Sequence, residues 1–438
     1  MRASHELRAS FSGLLLAAGL LVAACGGSSS QPSAPSSPPA PTAPVSTRWA
    51  PDHVVIVIFE NKSFQELIGS REMPYLNSLA QANALMTNAY ASETPYRYAS
   101  PGFPRPFPTR PSQPNYLMLL GGHNQNTLPA WFQSPGSPYQ GTAGHDQYGT
   151  RLSASIRNTP TGVANELIPA ARRPFTTPNL GAAMTGVSRT FATYSSGLPY
   201  PHFDQAGFNP PGSVDGYARR HNPAINWMNL TQANVPAEKQ RFLIPVESNL
   251  GFDPTQDPVD GRAYPGFARD SAGRPRDYAQ LPTVSLVIPT NDDNIHTGAK
   301  AAADAWLSAN IRPYADWAKT HNSILIITAD EDGSTDASQG AAEHYGNDPI
   351  VTLFAGPEGK VIPGRYLERI DHLNTLATVL DFYGALPAFL ADFSEAHLGT
   401  TDAFRAAEHR RLLANLRPIL DLFAAGPPLA DISFVKAP

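Results

Sequence analysis

The stretch HVVIVIFENKSF, His53 to Phe64, decides the fold. Val54, Val55, Ile56, Val57, Ile58 and Phe59 form an unbroken apolar, mostly β-branched run. A run without polar alternation reads as a strand buried on both faces, the pattern of a parallel sheet covered by helices. It stops abruptly at Glu60-Asn61. Open α/β sheets hold their ligands beyond the carboxyl ends of their strands. A carboxylate and an amide at that position are therefore placed for chemistry. Ser323 to Asp332, SILIITADED, repeats the design, an apolar run ending in acids. Two such strands can bring Glu60 and Asp330-Glu331 to one edge of one sheet.

Working outward, Val284 to Ile288 and Ile350 to Phe354 read as further buried strands, Thr190 to Tyr194 as another, and Thr87 to Tyr90 as the start of one. Helical spacing covers Met73 to Ala84, and Ser112 to Leu120 is an apolar helix ended by Gly121-Gly122. Further helices are expected over Leu180 to Met184, Ala299 to Trp317, Asp371 to Leu380 with Asp371 as cap, and 402–424. Residues 124–178 and 199–280 are poor in periodicity and read as long loops at a pocket mouth. Strands alternating with helices give an α/β domain with a mainly parallel sheet.

With 438 residues, 42% hydrophobic and 16% charged, the chain has enough apolar material for a large core. A net charge of -5 gives no basic surplus for nucleic acid. Arg2 and Arg8, then FSGLLLAAGLLVAA, then Cys25-Gly26-Gly27 read as a signal peptide, too short an apolar core for a membrane span. Val22-Ala23-Ala24-Cys25 resembles a bacterial lipobox, with Cys25 lipidated. Cys25 is the only cysteine, so an intrachain disulfide is excluded. The sequence thus predicts residues 1–25 as a lipoprotein signal and 26–48 as a Ser/Pro-rich tether. It predicts 49–398 as a catalytic domain and 399–438 as a C-terminal helix and tail. The expected location is periplasmic, outer-membrane or cell-surface, anchored through Cys25, and the expected state is a monomer.

No G-x-S-x-G elbow, P-loop, H-E-x-x-H or C-x-x-C occurs. What remains is acids, histidines and one serine at element boundaries. Glu60-Asn61 alone fits an ordinary helix start, and Asp330-Glu331-Asp332 alone fits a turn. Together the acids suggest oxygen ligands for a divalent cation. Asp292 and His296 have a D-x-x-x-H spacing that can serve one metal, although it also arises by chance. His372 equally fits a solvent-facing helix start. Ser112 opens a helix, where backbone N–H groups favour an anion beside a nucleophilic oxygen, although it also suits a plain cap. A serine lacking a histidine base can be activated by a metal, and His221 and Asn115 could donate to phosphoryl oxygens.

The order of these motifs resembles the phosphoesterase family of bacterial and fungal acid phosphatases and phosphatidylcholine-type phospholipases C, within the alkaline-phosphatase-like superfamily. The likeness runs from about His53 to Leu386. ENKSF at Glu60, SQPNYL at Ser112, YARRHNP at Tyr217, Ile288 to His296, Ala329-Asp330-Glu331, Asn347 to Pro357 and Ile370-Asp371-His372 carry it. It implies a three-layer α/β/α sandwich and a phosphoserine intermediate at Ser112. It places Glu60, Asn61, Asp330, Glu331, His221, His296 and His372 at a metal or phosphate centre, with Zn²⁺, Mn²⁺ or Ca²⁺ as candidate ions. Thr290, Asn294, Ser196 and Asp371 depart from the family's usual residues, so one ligand role falls to Asp292, Asp293 or Asn294. The resulting expectation is a phosphomonoesterase acting on a small phosphorylated substrate. A phospholipase C-type phosphodiesterase and a catalytically silent phospholigand-binding lipoprotein are the alternatives.

Overall fold

The computed structural model describes residues 49–91, 93–94, 107–108, 112–123, 174–205, 207–332, 349–393, 410 and 412–423. The signal, the tether with Cys25, most of the 124–178 loop and most of the 399–438 tail lie outside the described residues.

Eight strands form one sheet. They are β1 (His53–Phe59), β2 (Ala84–Ala89), β3 (Phe191–Ser195), β4 (Asn249–Gly251), β5 (Val284–Ile288), β6 (Ser323–Ala329), β7 (Ile350–Ala355) and β8 (Gly364–Tyr366). Their spatial order is β8-β2-β7-β6-β1-β5-β3-β4. β7 runs against both neighbours, and all other pairs are parallel. The expected strand at Ile350 is thus present but reversed.

Every residue of β1 is buried, so both faces of the sheet are covered. The covering helices fall into two contacting groups. One comprises α1 (Pro74–Ala82), α4 (Lys300–Asn310) and α5 (Arg312–Ala318). The other comprises α2 (Ser112–Gly121), α3 (Leu180–Gly186), α6 (His372–Phe382) and α7 (Leu386–Asp392). The result is a three-layer α/β/α sandwich. The first group is tied together by a buried carboxylate. Asp304 of α4 accepts from the backbone N–H groups of Tyr75 (2.9 Å) and Leu76 (2.8 Å), capping α1, whose own N-terminal residue Met73 offers no side-chain acceptor.

Two helices differ from the sequence expectation. The segment Ala299 to Trp317 is two helices broken at Ile311, because Pro313 in the first turn of α5 has no N–H for a continuous ladder. Of the expected helix 402–424, described residues 412–415 are helical and 416–420 are not. Pro418 stops the helix there. No described helix is long and apolar enough to cross a membrane.

Candidate active site

Parallel pairing sets the site. β1 and β6 pair with His53 opposite Ser323 and Phe59 opposite Ala329, so the same register carries Glu60 beside Asp330. The Asp330 N–H donates to the Phe59 carbonyl at 3.0 Å. On the other side of β1, the Glu60 N–H donates to the Asn294 carbonyl at 2.8 Å, tying in the loop after β5. The helical turn Phe64–Leu67 is capped by Ser63, whose N–H and hydroxyl both donate to Glu66. Glu60 is therefore free of the capping role and turns inward, fully buried.

Four groups meet the Glu60 carboxylate. Ser112 Oγ donates to Oε2 at 2.8 Å and Tyr116 OH donates to Oε1 at 2.7 Å. His221 Nε2 lies 3.2 Å from Oε1 and His296 Nδ1 lies 3.4 Å from Oε2. Ser112 is the first residue of α2, and Tyr116 follows one turn later on the same face. The Tyr116 ring stacks on His221 with centroids 5.2 Å apart. Asn61 Nδ2 lies 3.2 Å from His296 Nδ1, and Asn115 Nδ2 donates to Glu331 Oε2 at 3.4 Å. His372 Nε2 contacts the Asp330 carbonyl oxygen at 2.7 Å. That histidine is aimed by α6, whose capping box pairs Asp371 with Asn374, as the sequence suggested for Asp371.

The electrostatics are strained toward negative charge. Burial pushes the Glu60 carboxyl up, but His221, His296 and Tyr116 outweigh it and hold it below the ordinary carboxylate range. Burial, then repulsion from Glu60 and Glu331, pushes Asp330 well above that range. Burial drives His221 well below the ordinary imidazole value and His372 down to about 4. Asp330 Oδ2 is buried without a hydrogen-bond partner. Glu60, Asp330 and Glu331 are three buried acids at one strand edge, the residue types that suit a hard divalent cation, but their ligand atoms do not all lie within 4.8 Å of one another.

One expectation of spacing is corrected. Asp292 and His296 do not converge. The Asp292 carboxylate accepts from Ser213 Oγ (2.6 Å) and the N–H groups of Val214 (2.9 Å) and Asp215 (3.2 Å), pinning that loop. Asp293 accepts from Thr290 Oγ1 at 2.7 Å. Of the three candidates in that loop, Asn294 is the one that serves the site, through its carbonyl to Glu60 and through Oδ1, which accepts from the His296 N–H at 2.9 Å. The loop is not helical, and buried Ile295 sits at φ 78°, a strained setting for a β-branched residue that turns His296 inward.

Sequence reasoning missed Tyr116, Arg220 and Asn291. The i,i+4 relation to Ser112 was the available signal for Tyr116. Arg220 Nη2 lies 3.4 Å from His296 Nε2, and buried Asn291 lies near enough to His221 to favour its charged form. A second cluster was also missed. Among the described residues, His202, Asp257 and Asp260 form the one group of ligand-type side chains whose ligand atoms all lie within 4.8 Å of one another. It is a possible metal site of unknown identity on loops after β3 and β4, separate from Ser112. Its charges are already paired, His202 with Asp257 at 2.6 Å and Asp260 with Arg262 at 3.1 Å.

A mostly parallel sheet whose strand ends gather a helix-borne serine, acids and imidazoles is an arrangement suited to ester hydrolysis. Sequence comparison narrows this. A model of the Phosphoesterase family matches residues 266–384. A phosphatidylinositol-3-phosphatase of Mycobacterium tuberculosis is 30% identical over 332 residues, covering 76% of this chain and 77% of the relative. The chain belongs to the phosphoesterase family, and hydrolysis of phosphate esters is its class of activity. Solved structures similar to it include an alkaline phosphatase superfamily protein from Vibrio parahaemolyticus, at 14% identity and TM-score 0.38, covering 77% of this chain and 67% of that one. A phosphonate monoester hydrolase from Silicibacter pomeroyi aligns at 13% identity and TM-score 0.36, over 76% of this chain and 73% of that one.

Proposed function

We propose that the chain is an exported phosphomonoesterase of the acid phosphatase type, working through a phosphoserine at Ser112. The observation that carries this is the Ser112 hydroxyl donating at 2.8 Å to a fully buried carboxylate from the head of a helix. Glu60 aims Ser112 Oγ and accepts its proton as the Oγ–P bond forms. The ester P–O bond breaks, and the departing oxygen takes a proton from solvent water. Water then attacks phosphorus, the Ser112 Oγ–P bond breaks, Glu60 returns its proton to Ser112 Oγ, and inorganic phosphate leaves. The loose transition state asks little of a base and much of positioning, which suits a carboxylate with a low proton affinity. His221, which meets Glu60, and Asn115, on the same helix turn as Ser112, would donate to phosphoryl oxygens. A divalent cation held by Glu60, Asn61, Asp330 and Glu331 would supply positive charge to the serine oxygen and the transferring group.

The relative's name adds a substrate class. A phosphatidylinositol-3-phosphatase removes a phosphate from a monoester, which favours the monoesterase over the phospholipase C reading. A phosphoinositide is accordingly the first lipid substrate to try. Export and lipidation at Cys25 rest on the N-terminal sequence alone. The test is p-nitrophenyl phosphate hydrolysis from pH 4 to 9, with and without EDTA, beside Ser112→Ala, with acid quenching to trap phosphate on Ser112. Loss of activity and of the trapped adduct in Ser112→Ala supports the reading. Retained turnover in that variant would overturn it, and activity confined to p-nitrophenylphosphorylcholine would move the assignment to the diesterase.

A further inference from the structure

We infer that Asp292 is a positioning residue: its carboxylate fastens the segment leading to His221 onto the loop that carries His296, and so sets how the two imidazoles straddle Glu60. Its bearing on turnover rests on the Ser112 reading above.

His221 and His296 come from separate parts of the chain, yet they meet one carboxylate. His221 Nε2 is 3.2 Å from Glu60 Oε1 and His296 Nδ1 is 3.4 Å from Oε2, with ring centroids 5.7 Å apart and planes at 69°. Neither histidine sits on a strand of the sheet or on a long helix. His221 ends the 3-10 turn Arg219–His221, and His296 lies in the irregular loop 291–298. Contacts between the two segments therefore help to fix the spacing of the imidazoles.

Those contacts centre on Asp292. Its own loop is closed tightly: the N–H groups of Thr297 and Gly298 donate to the Asn291 carbonyl at 3.0 and 3.3 Å, and a Cβ on Gly298 would lie 1.7 Å from the Asp292 carbonyl oxygen. His296 is thus held at a fixed offset from Asp292. Across the seam, the Asp292 carboxylate accepts from Ser213 Oγ at 2.6 Å, the Val214 N–H at 2.9 Å and the Asp215 N–H at 3.2 Å. The backbone adds the Asp292 N–H to the Asp215 carbonyl at 3.1 Å and the Asn291 N–H to the Gly216 carbonyl at 3.2 Å. Thr297 Oγ1 donates to Asp215 Oδ2 at 2.7 Å. Tyr217–Ala218 follow at once, pair with Gly207–Phe208, and run directly into the turn that ends at His221.

An acid that merely caps a turn would satisfy its own segment. The 213–216 segment is already stapled from within by Asn209, whose Nδ2 donates to the Val214 carbonyl and whose Oδ1 accepts from the Gly216 N–H, both at 2.8 Å. Every side-chain contact named for Asp292 instead crosses from one histidine-bearing segment to the other. Hydrogen bonds to a carboxylate are stronger than neutral ones, so the seam depends most on this side chain.

The experiment uses the full chain as wild type, Asp292→Ala, Asp292→Asn and Asn209→Ala, with Ser112→Ala beside them. Two quantities are read: kcat and KM on p-nitrophenyl phosphate, and the imidazole signals of His221 and His296 in histidine-labelled protein by NMR, with His53 and His321 as remote references. Asp292→Ala should lower kcat by about tenfold to 100-fold, with a smaller change in KM, because a small misplacement of site groups acts on the chemical step. It should also move the His221 and His296 signals and leave those of His53 and His321. Asp292→Asn, with one acceptor oxygen left, should fall between. Asn209→Ala should cost stability but little kcat. If Asp292→Ala does not fold, Ser213→Ala removes one bond of the same seam and should show the same pattern at smaller size. Unmoved imidazole signals, an unchanged kcat, or equal kcat losses in Asn209→Ala and Asp292→Ala each overturn the positioning role, while Ser112-dependent turnover leaves the mechanism standing. Imidazole signals that respond to Asp292 in a protein without Ser112-dependent turnover keep the seam and remove the mechanism.

Discussion

The Tyr116 hydroxyl donates to Glu60 Oε1 at 2.7 Å while its ring stacks on His221, so one fully buried side chain fixes two site residues. Tyr116→Phe keeps the stack and removes the donor. A buried carboxylate short of one hydrogen bond costs about 1–3 kcal/mol, read as a lower denaturant midpoint. The donor favours the ionised Glu60, so its removal raises the Glu60 carboxyl. The acid limb of the kcat/KM profile should therefore move to higher pH. A loss of stability with an unmoved acid limb would show that Tyr116 serves packing alone.

Under the proposed mechanism, Asp330 would couple cation binding to protons. Burial and two neighbouring acids favour its protonated form in the cation-free protein, and a ligating carboxylate must lose that proton. Adding Mn²⁺ or Ca²⁺ to EDTA-treated protein should raise the melting temperature, by about 2.7 kcal/mol of stability at 100 times Kd. Affinity should rise with pH, and calorimetry in two buffers of different ionisation enthalpy should register proton release. Asp330→Asn should abolish the release. A cation response that survives in Asp330→Asn and disappears in Asp257→Asn would move the metal to the His202 cluster.

Much of this centre was legible because strand burial and parallel register are local consequences of composition. The apolar runs before Glu60 and Asp330 needed no tertiary information, and equal offset along β1 and β6 then brings the two acids together. Ser112, His221 and His296 meet at Glu60, and Asn115 meets Glu331. Asp292 did not converge with His296 because residues 291–298 follow an irregular turn that sends the Asp292 carboxylate to Ser213 and Val214. Arg220 was hidden because three consecutive polar residues, Arg219 to His221, take three directions from one 3-10 turn.

Gly122 ends α2 with φ 73°, and a Cβ there would lie 2.8 Å from Phe393 Cε2. Left-handed backbone costs a non-glycine residue about 1–2 kcal/mol before any clash is counted. Gly122→Ala should destabilise the protein by at least about that amount in urea unfolding. Phe393→Leu should recover part of the loss if the ring is the obstacle. Equal losses with and without the second substitution would put the whole cost in the backbone.

Glu368 offers a pH test away from the site. Burial first, with Asp421 adding and Arg417 opposing, pushes its carboxyl up to about 7, and its Oε2 is buried without a partner. A carboxyl raised in the folded state contributes fully below the unfolded value near 4.5 and loses that contribution as pH rises through about 7. Glu368→Gln should therefore stabilise the protein at pH 8 and leave it nearly unchanged at pH 4.5. The side chain is half-buried, so solvent screening limits the gain at pH 8 to under about 1 kcal/mol. Urea midpoints for both proteins at the two pH values decide it. A stabilisation of equal size at both would assign the effect to amide hydrogen bonding, and a loss at pH 8 would mean that the Arg417 attraction outweighs burial.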